Sequence, residues 1–347
     1  MRLESNTREK IRAILAQIDQ LLLSDFPHPH SADALGQLKG FFSAQQNRLE
    51  RAIQTGNSRT IRQACSTVNE RIHQNLPILG FILRSTNVRN SFESYHVLLE
   101  CARTLIGSSA KFILSSEWDY SPLTYPLTVS ALPNYVLLGL PAFESGNALI
   151  LPLAGHELGH SIWQKEDLET FYAGEVEGRA QTQIQTNWSA CQKAFAEVAG
   201  AQPPDAKAFA TDLFLSNIVA EIAALALSQA EEVFCDAVGC ALFGASYLYA
   251  FHYLLAPDLA GPRSPDYPTL VVRSQYIADH STLDAVALGF ASYSAEFSDW
   301  PSQLGSRDSL LLQMADAASD GMAEALYARA QQMISTKAAA YLPNPDA

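Results

Sequence analysis

The segment Gly155-His156-Glu157-Leu158-Gly159-His160 sets two imidazoles four residues apart, with a carboxylate beside the first. The surrounding pattern predicts a helix, and residues four apart share a helix face, so both rings can reach one ion. Zinc held by such a pair lowers the pKa of a water it binds toward about 7, and the adjacent Glu157 can take that proton. The chemistry open to this set is hydrolysis of an amide. The plain alternative is a surface helix with two unconnected histidines.

A catalytic zinc site needs three protein donors and one open position. The metzincin extension would require Gly at 163 and His at 166, and this chain has Trp163 and Glu166 instead. Further on, Glu231-Glu232-Val233-Phe234-Cys235-Asp236 lies in an apolar helical run that continues through Val238, Ala241, Leu242 and Phe243. Glu232 and Asp236 share one face of that run. Glu232 suits the third ligand, and Asp236 can hold a ligand histidine by its other ring nitrogen. A carboxylate buried without a partner is costly, and a metal ion would be that partner. Ordinary helix charge is the plain reading of Glu231-Glu232.

An HExxH segment followed some seventy residues later by Glu-x-x-x-Asp resembles the gluzincin metallopeptidases. The likeness is nearest to the branch of the CaaX prenyl-protein endopeptidases and their bacterial heat-shock relatives. That branch carries a His-Pro followed five residues later by Arg; here Tyr267-Pro268 precedes Arg273 at the same interval. The resemblance covers roughly residues 125–275. It implies His156, His160 and Glu232 as zinc ligands, Glu157 as general base, Asp236 behind a ligand, and Tyr267 and Arg273 lining the site. Tyr in place of His departs from the family pattern, as would a thiolate ligand. Cys235 is therefore expected to support packing and Cys240 to fill the core. The membrane spans of those relatives are missing, so a prenylated substrate does not carry over.

The elements that must position these residues are mostly helical. Four helices are predicted within residues 1–115. Their apolar faces are marked by Ile11, Ile14, Leu15, Ile18, Leu21 and Leu22; by Leu35, Leu38, Phe41, Phe42 and Leu49; by Ile61, Cys65, Val68, Ile72 and Leu76; and by Tyr95, Leu98, Leu99, Ala102 and Leu105. Prolines at 122, 126, 133 and 141 break residues 116–150 into short β-prone runs such as 125–129 and 135–138. By analogy with zincins, 135–138 is the candidate strand for pairing with extended substrate. Helices then return over 167–199, 206–227, 231–255 and 309–336, with a proline-rich loop over 257–268. The expected fold is mainly α with a small sheet (α+β): a zincin-like domain over 116–347 behind a helical bundle module over 1–115.

Charge changes sign near residue 115. Residues 1–115 hold 14 basic and 9 acidic side chains, and residues 116–347 hold 9 and 27, within a net charge of −13. The acidic part speaks against nucleic acid as partner, because phosphate binding needs basic surface. Five widely spaced cysteines form no disulfide framework and no CxxC knuckle, which fits reduced thiols in the cytoplasm. The start lacks the apolar core of a signal peptide. Residues 210–230 carry Asp212 and Glu221, and 137–154 is broken by prolines and Glu144, so no membrane span is expected. His28, His30, His73 and His96 are read as structural; His252 and His280 stand as reserve oxyanion donors.

The expected activity is zinc-dependent hydrolysis of peptide bonds in a peptide or protein substrate by a soluble endopeptidase; a cleft open at both ends would favour that action, and a closed pocket an exopeptidase or small-molecule enzyme. Tyr267 is the candidate oxyanion donor, held extended before Pro268, and Arg273 a permanent charge able to hold substrate backbone or a carboxylate. Two rival functions share the motif: a non-catalytic zinc-binding regulatory protein, and a zinc hydrolase of a non-peptide amide. The sequence does not fix the oligomeric state.

Overall fold

A computed structural model describes residues 3–85, 92–118, 122–125, 129, 131–144, 146–256, 263–299 and 304–338. The chain forms two compact units, Met1–Asn147 and Ala148–Ala347. It is mainly helical, with thirteen α-helices and one three-stranded sheet among the described residues.

The first unit holds α1 (Leu3–Leu21), α2 (Pro29–Gln54), α3 (Ser58–Arg84) and α4 (Phe92–Leu105), then β1 (Lys111–Glu117), β2 (Leu123–Tyr125) and β3 (Tyr135–Pro141). Ile11, Ile18, Leu35, Leu38, Phe42, Val68 and Ile72 from the predicted helix faces share one core with Ile113 and Leu137 of the sheet. Leu76 departs from its predicted face and is 43% exposed, in a helix that runs on through Pro77. The Asn57 side chain caps α3 by accepting from the N–H groups of Arg59 and Thr60.

β1 and β3 pair in parallel from Lys111↔Tyr135 to Glu117↔Pro141, and β2 pairs antiparallel to β3. Residue 115, the expected module boundary, thus lies inside a strand. The compact units divide after Asn147, because β1 packs on α2, α3 and α4 and keeps the sheet with the helices before it. The expected strand over 125–129 is represented by β2, which ends at Tyr125; residues 126–128 lie outside the described residues. The sheet order is β1-β3-β2, so β3 is the middle strand with neighbours on both sides. The expectation that 135–138 offers a substrate-pairing edge is corrected by that order: β1 occupies one side of the strand throughout, and β2 takes the other from Leu137.

The second unit holds α5 (Ala154–Lys165), α6 (Leu168–Thr186), α7 (Trp188–Ala194), α8 (Ala206–Thr211), α9 (Leu213–Phe243), α10 (Ala245–Leu255), α11 (Leu270–His280), α12 (Ser306–Asp320) and α13 (Ala323–Ala338). The helix expected over 167–199 ends at Thr186, followed by α7 and a 3-10 turn. The one expected over 309–336 divides at Gly321 and Met322.

The largest difference is at the centre. The expected helices 206–227 and 231–255 are redrawn as α8, one 31-residue α9 and α10. Asp212 caps α9 by accepting from Phe214 and Leu215 N–H groups, and Gly244, at a φ of +54°, ends it in a conformation that L side chains rarely adopt. By length and composition alone α9 could cross a membrane, contrary to the expectation of no such stretch. In this unit it is the helix on which α5, α6, α12 and α13 pack. Of the proline-rich loop, residues 257–262 lie outside the described residues.

Candidate metal centre

α5 brings the two histidines to α9 because glycines let the helices approach closely. A Cβ at Gly159 would stand 2.7 Å from Cα of Cys235, and one at Gly155 would stand 3.0 Å from Cα of Gly239. His156 and His160 therefore meet Glu231, Glu232, Cys235 and Asp236 across the helix interface.

Each imidazole is held by its Nδ1. His156 Nδ1 lies 2.9 Å from Asp236 Oδ1, and His160 Nδ1 lies 2.7 Å from Glu231 Oε1. A carboxylate can only accept, so both Nδ1 atoms carry the proton and donate it. The two Nε2 atoms then both face Glu232, at 3.1 Å from Oε2 for His156 and 3.7 Å from Oε1 for His160. Glu232 Oε2 is buried 3.1 Å from His156 Nε2, an ion pair when the imidazole is charged and without a hydrogen bond when it is neutral. In the neutral tautomer each Nε2 directs a lone pair toward a carboxylate. That arrangement is repulsive unless a cation lies among them, either a proton or a metal ion. Nδ1 bonded to a carboxylate and Nε2 free to bind is the usual setting of a metal-ligating histidine.

Cys235 joins the same cluster. One ring nitrogen from each of His156 and His160 and the Cys235 sulfur all lie within 4.8 Å of one another, a group able to hold a metal ion. The sequence expectation made this thiol a packing residue; the fold puts it among the donors. The spacing contained the signal, because Glu232, Cys235 and Asp236 stand at i, i+3 and i+4 on one helix face.

Asp236 is the most heavily partnered residue of the cluster. Arg273 reaches it with Nε at 2.8 Å and Nη2 at 2.7 Å, and the Tyr247 hydroxyl donates at 2.7 Å. Gly239 makes room for the Tyr247 ring. The Arg273 guanidinium lies between the Phe251 and Tyr267 rings, 5.2 and 5.3 Å from their centroids. At 6% exposure it is spent on Asp236, with Glu232 Oε2 at 3.9 Å. The structure therefore places Arg273 as a support for Asp236.

Electrostatics follow from burial plus these pairs. Burial alone would raise the Asp236 carboxyl, but the Arg273 charge and the bonds from His156 and Arg273 hold it well below the usual carboxylate range. Burial opposes a charge on His156, yet Asp236 and Glu232 push its pKa up to about 10. Burial likewise opposes a charge on His160, and the Glu231 bond outweighs it upward. Glu157 is 7% exposed and makes no hydrogen bond among the described residues; burial raises its pKa, which suits a group that must take and release a proton.

Tyr267 is 37% exposed, at the rim. Burial raises its phenol above the ordinary range, with Glu232 adding to the rise, so the hydroxyl keeps its proton. Its loop is tied to α9 and α12. Arg263 pairs with Asp316 and donates to the Tyr267 carbonyl; Gln229 donates to Asp316 Oδ1 at 2.8 Å and to the Pro265 carbonyl at 3.2 Å; Ser319 donates to Gln229 at 2.7 Å. His252 and His280, the reserve donors, sit among Phe290 and Phe297 and beside Tyr276 and Tyr327 respectively, and neither forms a hydrogen bond or ion pair with the ligand side chains. Sequence reasoning gave no role to Glu231 or Tyr247. Glu231 could have been reached from its neighbour's spacing, whereas Tyr247 becomes visible only once the Gly244 turn is known.

No family model, curated protein or solved structure matches this chain.

Proposed function

We propose that the protein is a zinc metallopeptidase that hydrolyses peptide bonds, with His156, His160 and Glu232 as ligands and Glu157 as general base. The observation that carries this reading is the convergence of two Nδ1-anchored imidazoles on the buried Glu232 carboxylate, beside Glu157, which makes no hydrogen bond among the described residues. The donor set fits zinc, which accepts nitrogen, oxygen and sulfur ligands alike. When bound, the ion polarises the scissile carbonyl and acidifies the attacking water.

The chain's own residues do the rest. Glu157 takes the proton of the attacking water and returns it to the leaving nitrogen. Asp236 and Glu231 fix the ligand rings. Arg273 and Tyr247 fix Asp236. Tyr267 donates its hydroxyl to the carbonyl oxygen as negative charge develops there. A zincin-like fold, with the gluzincin order of HExxH and Glu-x-x-x-Asp, is part of this proposal. A second reading, in which the ion only supports the fold, is favoured by the extra sulfur donor, since structural zinc sites have four protein ligands.

The test is cleavage of a mixed peptide library by zinc-loaded protein and by Glu157→Gln. Wild type should cleave, and the variant should keep its zinc and fold while losing turnover by about 10²–10⁴-fold. Equal turnover in the two proteins excludes Glu157 as base, and no cleavage by wild type or by Cys235→Ala moves the protein to the second reading.

A further inference from the structure

Cys235 lies on α9 three residues after Glu232 and one before Asp236, fully buried at the α5 crossing. Gly159 is what brings it there, since any larger residue would push the Cys235 backbone away. The sulfur has no hydrogen bond among the described residues, and its surroundings are unlike those of a packing thiol. Glu157, Glu231, Glu232 and Asp236 are all near enough to act on it electrostatically. A thiol used only for packing is found among apolar side chains. This one lies within reach of carboxylate charge, and a ring nitrogen from each of His156 and His160 lies within 4.8 Å of its sulfur. Nitrogen and sulfur donors of this kind could hold a single ion such as zinc. Glu232 Oε2, buried 3.1 Å from His156 Nε2, lies beside this group.

We infer that Cys235 is a fourth protein ligand, so that the resting metal centre is closed by His156, His160, Glu232 and the Cys235 sulfur, and that the position needed for hydrolysis opens only when the sulfur withdraws. On binding, the thiol gives its proton to solvent and the sulfur donates an electron pair to the ion; no oxidant or reductant is involved. The inference rests on the metallopeptidase reading above and adds a latent state to it. It also accounts for an intact Glu157 beside what would otherwise be a saturated structural site.

Cobalt(II) substitution of the full-length protein tests it without relying on turnover. A bound thiolate gives a sulfur-to-cobalt charge-transfer band in the near ultraviolet, which imidazole and carboxylate ligands do not. Wild type should show the band. Cys235→Ser and Cys235→Ala should each still bind cobalt through the remaining three ligands, lack the band, and bind zinc roughly tenfold or more weakly. With zinc, Cys235→Ala should turn over peptide faster than wild type. Cobalt bound in wild type without the band overturns the ligand role and leaves the peptidase reading intact. A band that survives both substitutions overturns it by assigning the sulfur to another cysteine. A band lost in the variants with turnover unchanged overturns the latency. No cobalt or zinc binding by wild type overturns this inference together with the metal-site reading.

Discussion

Each unit of the protein contains buried histidines, and the two environments act on them in opposite directions. In the first unit His28 stacks on the Tyr95 ring at 3.5 Å, and Nδ1 of His30 accepts from the Phe112 N–H at 3.1 Å, with the Tyr95 hydroxyl 2.9 Å from the same nitrogen. Burial lowers the pKa of both, and they are held neutral. In the second unit His156 is buried like His28, yet His156 and His160 are driven upward by the carboxylates of Asp236, Glu232 and Glu231. Burying an imidazole next to aromatic rings and backbone makes a core residue. Burying it between two carboxylates makes a place for a cation. Histidine count and burial do not separate the two cases, and the identity of the atoms facing each nitrogen does.

The sharpest way to break that contrast is to remove the charge that balances the second unit. Arg273→Met leaves Asp236 buried without its main partner and should destabilise the protein by about 3–5 kcal/mol in urea denaturation. Zinc affinity should fall as well, because His156 loses its fixed orientation. A loss within 1 kcal/mol would mean that Tyr247 and His156 suffice to hold Asp236, and that the charged core is less demanding than its geometry implies.

Next in size is Tyr267→Phe, which removes one hydroxyl from the rim. Turnover should fall by about 10²-fold, with zinc content and melting temperature unchanged. Wild-type turnover in this variant would pass the oxyanion role to a different donor. Glu231→Gln probes the second imidazole. It should weaken zinc binding by about 10–100-fold in a chelator competition, because His160 loses the carboxylate that fixes its ring. If Glu231→Ala instead strips zinc while Glu232→Ala does not, the ligand assignment is off by one residue.

The smallest effect belongs to the first unit. Because His28 and His30 have lowered pKa values in the folded chain, the unfolded chain takes up protons first as pH falls. The stability they allow is present above the ordinary imidazole pKa of about 6.5 and is lost below it. The double variant His28→Gln/His30→Gln does not pay this penalty. Its melting temperature should therefore gain on wild type as pH is lowered from about 7.5 to about 5. A gap that stays constant over this range would show that the two imidazoles are not held neutral, and the contrast between the units would fail there.

Local spacing made most of the candidate centre legible. His156, Glu157 and His160 followed from a four-residue repeat on one helix, and Glu232 with Asp236 from another. The apolar faces of α1 to α3 were legible for the same reason, since a helix period is written in nearest neighbours along the chain. What the spacing could not carry was any fact that depends on which elements meet. Strand β1 was hidden because its only apolar run, Phe112, Ile113 and Leu114, is too short for its period to separate a strand from a helix end. The continuous α9 was hidden because only Gly244, through its backbone conformation, marks the true end.

The sequence by itself marked His156, Glu157, His160, Glu232 and Asp236 as candidates, because that depends on residue type and on periodicity within one segment. Tertiary structure alone decided their partners. Glu231 holds His160, Arg273 is turned inward onto Asp236 between two aromatic rings, Tyr247 returns to the same carboxylate, and Cys235 stands among the ligands. Each of these is a contact between helices; the approach of α5 to α9 is set by the missing Cβ atoms of Gly155 and Gly159, and that of the Tyr247 ring by Gly239, which act only when elements are pressed together.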